Sequence, residues 1–467
     1  MFTTLLLAAL TLVSPNGQHQ VKFYQQRQAD GTFETRYSVQ YRGKDVVLDS
    51  RCGLNLDNRT WEMALGFREL HQYADWMAPM ELDSVRTFPV VDSEYRNLYG
   101  ERSTVHERYT SATLYLSHKP ERPVDALTAP LSPAGYETRA RRAADATVSS
   151  NYRLNIEVRA YDEGIAFRYF FPEHPAAIFH KVVADETEYT LPEGTRAWSE
   201  QWAQAFFEHK RIDQLSQPVE MALTLDYASG IWAALLTADT DDWCLTRLQA
   251  KPGAVNVLES LMYSPVDIVT YYATPWKVIL AADSPGQLLE RNELVNMLNP
   301  PCQIDDAEEW VVPGTIMRET TLTMEGARAT IDFCTRHNIR YMLFDWKWYE
   351  PCTSHDGDAT KVIPQLDMPE VCRYAKSKGV RVWLYVNQHA LMKQARELFP
   401  LLRQWGVTGV KSGFVQYASH RWATWLHDLV RLAAENHLLM NIHDEYRPAG
   451  FSRTFPNLMT QEGICGN

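Results

Sequence analysis

The chain has 467 residues, 45% of them apolar and 12% aromatic, which is enough for two or three domains with large buried cores. A formal net charge of −12 argues against nucleic acid or an anionic membrane surface as partner, and leaves a neutral or cationic ligand, or a bound cation, as the better match. The seven cysteines, at 52, 244, 302, 334, 352, 372 and 465, are odd in number and lack metal-ligand spacing, so they read as free, mostly buried thiols.

Leu5 to Val13 is long enough for the apolar heart of an export signal, but Met1 to Thr4 carries no positive charge. Residues 1–15 are therefore either a clipped export signal or the start of the first strand, and the expected location is periplasmic or otherwise exported. No other apolar run approaches the ~18 residues a membrane span needs.

From residue 16 to 297 the pattern is β. In Tyr152 to Tyr161, Leu154, Ile156, Val158 and Ala160 share one face; after the turn Asp162-Glu163-Gly164, Ile165, Phe167, Tyr169 and Phe171 do the same. That predicts a hairpin. Turn signals recur at Asp30-Gly31, Arg42-Gly43-Lys44 and Ser229-Gly230, so this half is expected to be a large β-sandwich. Residues 298–310, with Pro300-Pro301 and an acidic run, read as a linker.

Residues 311–467 alternate strand and helix. Strands are expected at Val311 to Met317, Ile339 to Phe344, Val380 to Val386, Val407 to Lys411, Leu438 to Ile442 and Leu458 to Thr460. Asp367-Met-Pro-Glu370 is a helix start, and Gly379 and Gly406 are helix stops. Trp422, Trp425, Leu426, Leu429, Leu432 and Ala433 make an apolar helix face. An open doubly wound sheet and a closed (β/α)8 barrel share this rhythm. The lack of a glycine-rich phosphate loop after the first strand, and polar residues after nearly every strand, favour an incomplete TIM-type barrel with six of its eight strands.

Barrel enzymes keep their chemistry just past the strand ends. Here those positions hold Asp345, Trp346 and Trp348; Asn387, Gln388 and His389; Lys411, Ser412 and Gly413; His443, Asp444 and Glu445; and Glu462. Cleaving a glycosidic bond usually takes two carboxyl groups, and Asp444 and Glu462 are candidates. A strand-end carboxylate is more often a cap or a salt-bridge partner, and Lys411 and Arg447 could simply neutralise such groups. Converging carboxylates with few histidines suit a hard cation, calcium first.

The stretches WVVPG (Trp310 to Gly314), GVKSGFV (Gly409 to Val415) and HDEYRPAGFSRTFPNLMTQEG (His443 to Gly463), with an RPxGxxRTxPN pattern from Arg447 to Asn457, resemble glycoside hydrolase family 97. The resemblance covers essentially the whole chain. It implies an N-terminal β super-sandwich followed by the barrel, and a calcium-dependent α-glucosidase or α-galactosidase of the kind found in gut Bacteroidetes. A C-terminal β domain of the family has no counterpart here, which the resemblance reads as truncation.

Position by position, it implies that Glu208, with Glu200 as fallback, and Glu462 bind calcium, and that Asp444 is the general base and reaches the ion. Retaining members carry a nucleophilic aspartate in a VKxDF pattern; the matching residue here is Gly413, so inversion is implied. A second base glutamate of inverting members corresponds to Asn387, and the family's general acid would fall just after Asn467, so this chain is expected to be inactive. The expected function is exo-cleavage of terminal α-glucosidic linkages of oligosaccharides. The alternatives are an α-galactosidase of the same family or a catalytically silent carbohydrate-binding relative. Asp345, Lys411, His443 and Arg447 would bind sugar hydroxyls, Asn387 would line the same site, and Trp346 or Trp348 would stack on the ring.

Overall fold

The alternating positions of Tyr152–Tyr161 and Gly164–Phe171 do face one way: Leu154, Ile156, Ala160, Ile165, Phe167, Tyr169 and Phe171 are all fully buried in a computed structural model that describes residues 6–57, 75–118, 152–173, 179–443 and 446–462. The two strands pair antiparallel, with Ala160 opposite Ile165 and Asn155 opposite Phe170. Each fully buried side chain of this size contributes roughly 1.5–3 kcal/mol. Gly164 is required at the turn, because a β-carbon there would press into the carbonyl of Ile279 on the neighbouring strand Trp276–Ala282.

Contacts divide the chain into two units. The first contains Met1–Glu94, His106–Gln201 and Phe206–Leu298; the second contains Tyr95–Val105, Trp202–Ala205 and Asn299–Asn467. In the first, the strands Leu6–Val13, His19–Arg27, Phe33–Tyr41 and Lys44–Arg51 form an antiparallel meander. Phe23 and Tyr37 of that meander meet Phe167 of a ten-stranded sheet at ring distances of 5.4 and 4.8 Å. Two sheets thus share one core, in the manner of a sandwich. The leading apolar run is a strand of this meander, with Leu10 and Leu12 buried.

The second unit is built on six parallel strands: Ile316–Glu319, Tyr341–Phe344, Arg381–Asn387, Val407–Gly413, Leu439–Ile442 and Leu458–Gln461. Their order in the sheet is their order in the chain. A doubly wound sheet reverses strand order at a switch point, so this order separates the two architectures that share the βα rhythm. The helices Met324–Arg336, Met368–Ser377, Gln388–Trp405 and His420–Glu435 make the crossovers. Asp367 caps the second of these by accepting the Glu370 N–H at 3.0 Å, and Gly406, at φ 96°, ends the third.

Three local expectations need correction. The first strand begins at Ile316 rather than Val311, since Pro313 lacks an N–H for a ladder and Gly314 adds no side chain to hold one. The stretch read as a linker is tied into the second unit: Asn299 donates to the Ala449 carbonyl at 2.8 Å, and Ala307–Trp310 is a short helix with Ala307 buried. The buried face of His420–Glu435 includes the expected Leu426, Leu429 and Ala433, but is completed by Ala423, His427, Val430 and Ala434, while Trp422, Trp425 and Leu432 are only partly covered. His427 joins that face because of distant residues: it stacks on Phe451 at 4.0 Å and meets the Tyr446 hydroxyl at 2.8 Å.

Candidate active site

Period-two alternation carries one set of side chains from the floor of the sheet to its carboxyl ends. At the floor, Tyr341, Leu343, Trp383 and Leu439 cluster with Ala307 and Val311, with the partly buried Leu98, Tyr99, Trp310 and Met459 packed against them. Continuing the same faces toward the strand ends gives Asp345, Tyr385, Asn387, Lys411, Gly413, Asn441 and His443. The residues between them, such as Phe344, Val386, Val410, Ser412 and Ile442, are fully buried on the opposite face.

Four of the expected residues meet. Lys411 Nζ lies 3.9 Å from Asp345 Oδ2 and 3.9 Å from Glu462 Oε2, so one ammonium stands between two carboxylates without a short bond to either. Arg318 Nε approaches Asp345 Oδ2 to 3.2 Å, and His443 Nε2 approaches Glu462 Oε2 to 2.9 Å. The His443 contact is close but poorly aligned, and Glu462 Oε2 is buried without a hydrogen bond. The backbone fixes both partners, since His443 N–H donates to Ser412 O at 3.0 Å and Glu462 N–H to Ile442 O at 2.9 Å. Phe414 covers the His443 ring at 5.4 Å.

The others are placed differently. Trp346 is 43% exposed, whereas Trp348 is fully buried, its indole N–H donating to Tyr385 O at 2.6 Å and its ring edge-on to Trp405 at 6.4 Å. Trp348 is thus a core residue and has no face left for a sugar. Asn387 is also withdrawn: it is the N-cap of Gln388–Trp405, accepting the His389 N–H at 3.0 Å while its amide donates to the Tyr385 hydroxyl at 3.2 Å. Gln388 and His389 are accordingly helical rather than in a loop. Arg447 is partly buried, and Asp444 lies outside the described residues. Glu208, in the first unit, pairs with Lys210 at 2.6 Å, and Glu200, in the same unit, is buried.

Gly413 marks the most constrained position. A β-carbon there would overlap the ring of Tyr385, which is itself buried. Burial also pushes the Tyr385 hydroxyl well above the ordinary tyrosine range, so it stays neutral. Sequence reasoning did not find Arg318, Tyr385 or Phe414. Arg318 lies just beyond the place where the first strand was expected to stop, and no local pattern distinguishes the other two from core aromatics.

Among the described residues, no three His, Cys, Asp or Glu side chains converge as a metal site. Glu462 Oε2, a buried hard oxygen with no hydrogen bond, is nevertheless the kind of atom a hard cation takes.

Parallel strands with carboxylates and cations gathered at their ends are where α/β enzymes of many chemistries keep their sites. The family model for Glycoside hydrolase 97 matches residues 309–464, and that for Glycosyl-hydrolase 97 N-terminal matches residues 12–301. The chain belongs to glycoside hydrolase family 97.

A probable retaining α-galactosidase of Streptomyces bingchenggensis is 24% identical over 327 residues, 67% of this chain and 50% of the relative. A retaining α-galactosidase of Bacteroides thetaiotaomicron is 23% identical over 364 residues, 67% of this chain and 54% of the relative. The chain therefore spans about half the length of the curated relatives it matches. Among solved structures, a family 97 enzyme of Pseudoalteromonas sp. strain K8 in complex with acarbose shares the fold, with a TM-score of 0.80 at 17% identity over 97% of this chain and 69% of that one. A variant of that enzyme has been solved with panose, with the same TM-score of 0.80. A β-arabinopyranosidase gives a TM-score of 0.75 at 17% identity, over 98% of this chain and 70% of that one.

Proposed function

We propose that this chain supplies the sandwich and the first six barrel strands of an exo-acting α-glycosidase that attacks the anomeric carbon with water rather than with a carboxylate. The observation that carries this reading is Gly413, whose place on the fourth strand is filled by the Tyr385 ring and can hold no nucleophile. Water then needs a general base, and Asp444, between His443 and Arg447 in the chain, is the candidate. The Asp345, Lys411, Arg318 and His443 group offers donors and acceptors for sugar hydroxyls, and Trp346 offers an exposed aromatic face.

Calcium belongs to the same proposal, with Glu462 and Asp444 as ligands. A bound calcium ion would supply positive charge that orients sugar hydroxyls and holds acidic groups ionised. The Lys411 ammonium, 3.9 Å from each, screens the Asp345 and Glu462 carboxylates from one another, and the His443 ring stands 2.9 Å from Glu462 Oε2.

The test uses α-glucosyl and α-galactosyl fluoride, because fluoride leaves without needing a proton from a general acid. Proton NMR of the first-formed sugar should show the β-anomer; an α-anomer would establish retention and end the inverting reading. The curated relatives' names favour galactose, and comparing the two fluorides decides between the sugars. Calorimetric binding of maltose or galactose without turnover of either fluoride would instead favour a silent binding protein, a reading supported by the fully engaged Asn387.

A further inference from the structure

The sixth strand, which carries Glu462 just past its end, is fixed on one side by the fifth strand and on the other by a tyrosine from far away in sequence. Asn457, fully buried, accepts the Met440 N–H at its main-chain carbonyl at 2.7 Å and donates its side-chain amide to Val430 O at 2.9 Å and Leu438 O at 3.3 Å. Pro456 and Asn457 form a turn, closed by the Leu458 N–H donating to Phe455 O at 3.0 Å, which leads into the sixth strand and places the carbonyls of Pro456 and Leu458 close together. Both accept from the one O–H of Tyr99, at 2.8 and 2.9 Å, so its single proton is shared between them.

Tyr99 sits in the Tyr95–Val105 segment of the second unit, where Leu98 and Tyr99 pack into the floor cluster and the Arg453 guanidinium lies over the Tyr95 ring at 4.1 Å. Burial raises the Tyr99 hydroxyl far above the ordinary tyrosine range, so it stays a donor. From Leu458 to Glu462 is four residues, roughly 13 Å of extended chain. The ladder between those points is irregular, with a register shift at Met440/Asn441. A rotation at the start of the strand is therefore passed along this ladder and turns the Glu462 side chain about its backbone anchor, the N–H bond to Ile442 O at 2.9 Å.

We propose that Tyr99 is a positioning residue for Glu462: its hydroxyl clamps the carbonyls of Pro456 and Leu458 and so sets where the Glu462 carboxylate stands relative to Lys411 and His443. This rests on Glu462 being a site carboxylate of the glycosidase proposed above.

The experiment is Tyr99→Phe in the full chain, which keeps the ring in its cluster and removes only the hydroxyl. On whichever α-glycosyl fluoride the wild type hydrolyses, kcat should fall about 10-fold or more while KM stays within about twofold, as expected when a reacting group is displaced and substrate contacts are kept. Hydrogen exchange at residues 458–462, read by mass spectrometry, should accelerate in the variant. A kcat within about twofold of wild type overturns the proposal, whatever the exchange shows. If the wild type hydrolyses neither fluoride, the glycosidase reading fails by itself. Exchange then decides whether Tyr99 holds the strand, and an unchanged rate overturns that as well.

Discussion

The ring of Tyr385 occupies the space that any side chain at Gly413 would need. Strand register produces this, since Asn387 pairs with Gly413 and Tyr385 with Lys411, and the ring leans along its neighbour toward the strand end. Gly413→Ala and Gly413→Asp should each destabilise the protein by about 1–3 kcal/mol in urea unfolding, the usual cost of forcing atoms into a packed site. Combining Gly413→Asp with Tyr385→Ala should cost less than the sum of the two single changes, because one makes the room the other needs. Strict additivity would contradict the overlap.

Removing the cation that two carboxylates share should affect activity more than stability. Lys411→Met leaves Asp345 and Glu462 facing each other, and kcat/KM on an α-glycosyl fluoride is expected to fall ~10²-fold or more. Retention of activity within about threefold would remove Lys411 from the site.

The two tryptophans after the second strand should separate cleanly. Trp348→Ala is expected to cost about 3–5 kcal/mol of stability, since it empties a fully buried site and leaves the Tyr385 carbonyl unpaired. Trp346→Ala should leave the unfolding midpoint nearly unchanged but weaken sugar binding by calorimetry, by roughly the 0.5–1.5 kcal/mol an aromatic contact contributes. Equal loss of stability in both variants would refute the assignment of Trp346 to the site and Trp348 to the core.

Calcium should stabilise the folded chain by mass action, about 2.7 kcal/mol at a hundred times its dissociation constant. Differential scanning calorimetry in chelator and in millimolar calcium would show this as a higher midpoint, and Glu462→Gln should abolish the increment. Identical midpoints in both solutions would exclude a calcium site in this chain.

A pH effect is expected in the first unit. Burial first, and then the neighbouring Arg291 guanidinium, hold the pKa of His19 down to about 3, so it stays neutral in the native state. The unfolded chain takes up that proton below about pH 6.5, so the unfolded state binds more protons between about pH 6.5 and 3. Stability should therefore fall on acidification through this window, by about 1.4 kcal/mol per pH unit from this residue. Urea midpoints for the wild type and His19→Gln, taken between pH 4 and 8, should converge as the pH falls. Parallel profiles would show that His19 does not titrate as described.

What could be read from the sequence was whatever local chemistry decides. Alternation placed the Tyr152–Phe171 hairpin, a capping aspartate at Asp367 and a left-handed glycine at Gly406 bounded two helices, and strand-end positions brought Asp345, Lys411, His443 and Glu462 to one place. What escaped depends on partners distant in the chain. Whether Asn387 faces a substrate or caps a helix turns on Tyr385 and Tyr349, and Trp348 looks like a sugar platform until Trp405 covers it. The same holds for part of the His420–Glu435 helix, where Phe451 and Tyr446 cover His427 while Trp422 and Trp425 stay partly open.

Because the six parallel strands stand in the sheet in the order of their synthesis, each one finds its neighbour already made when it leaves the ribosome. At roughly 5–20 residues per second, the helical crossover that follows a strand takes only seconds to appear. The sheet can grow by adding one strand at a time to a finished edge, and Tyr99, which emerges before any of these strands, has already been made when the last of the six arrives.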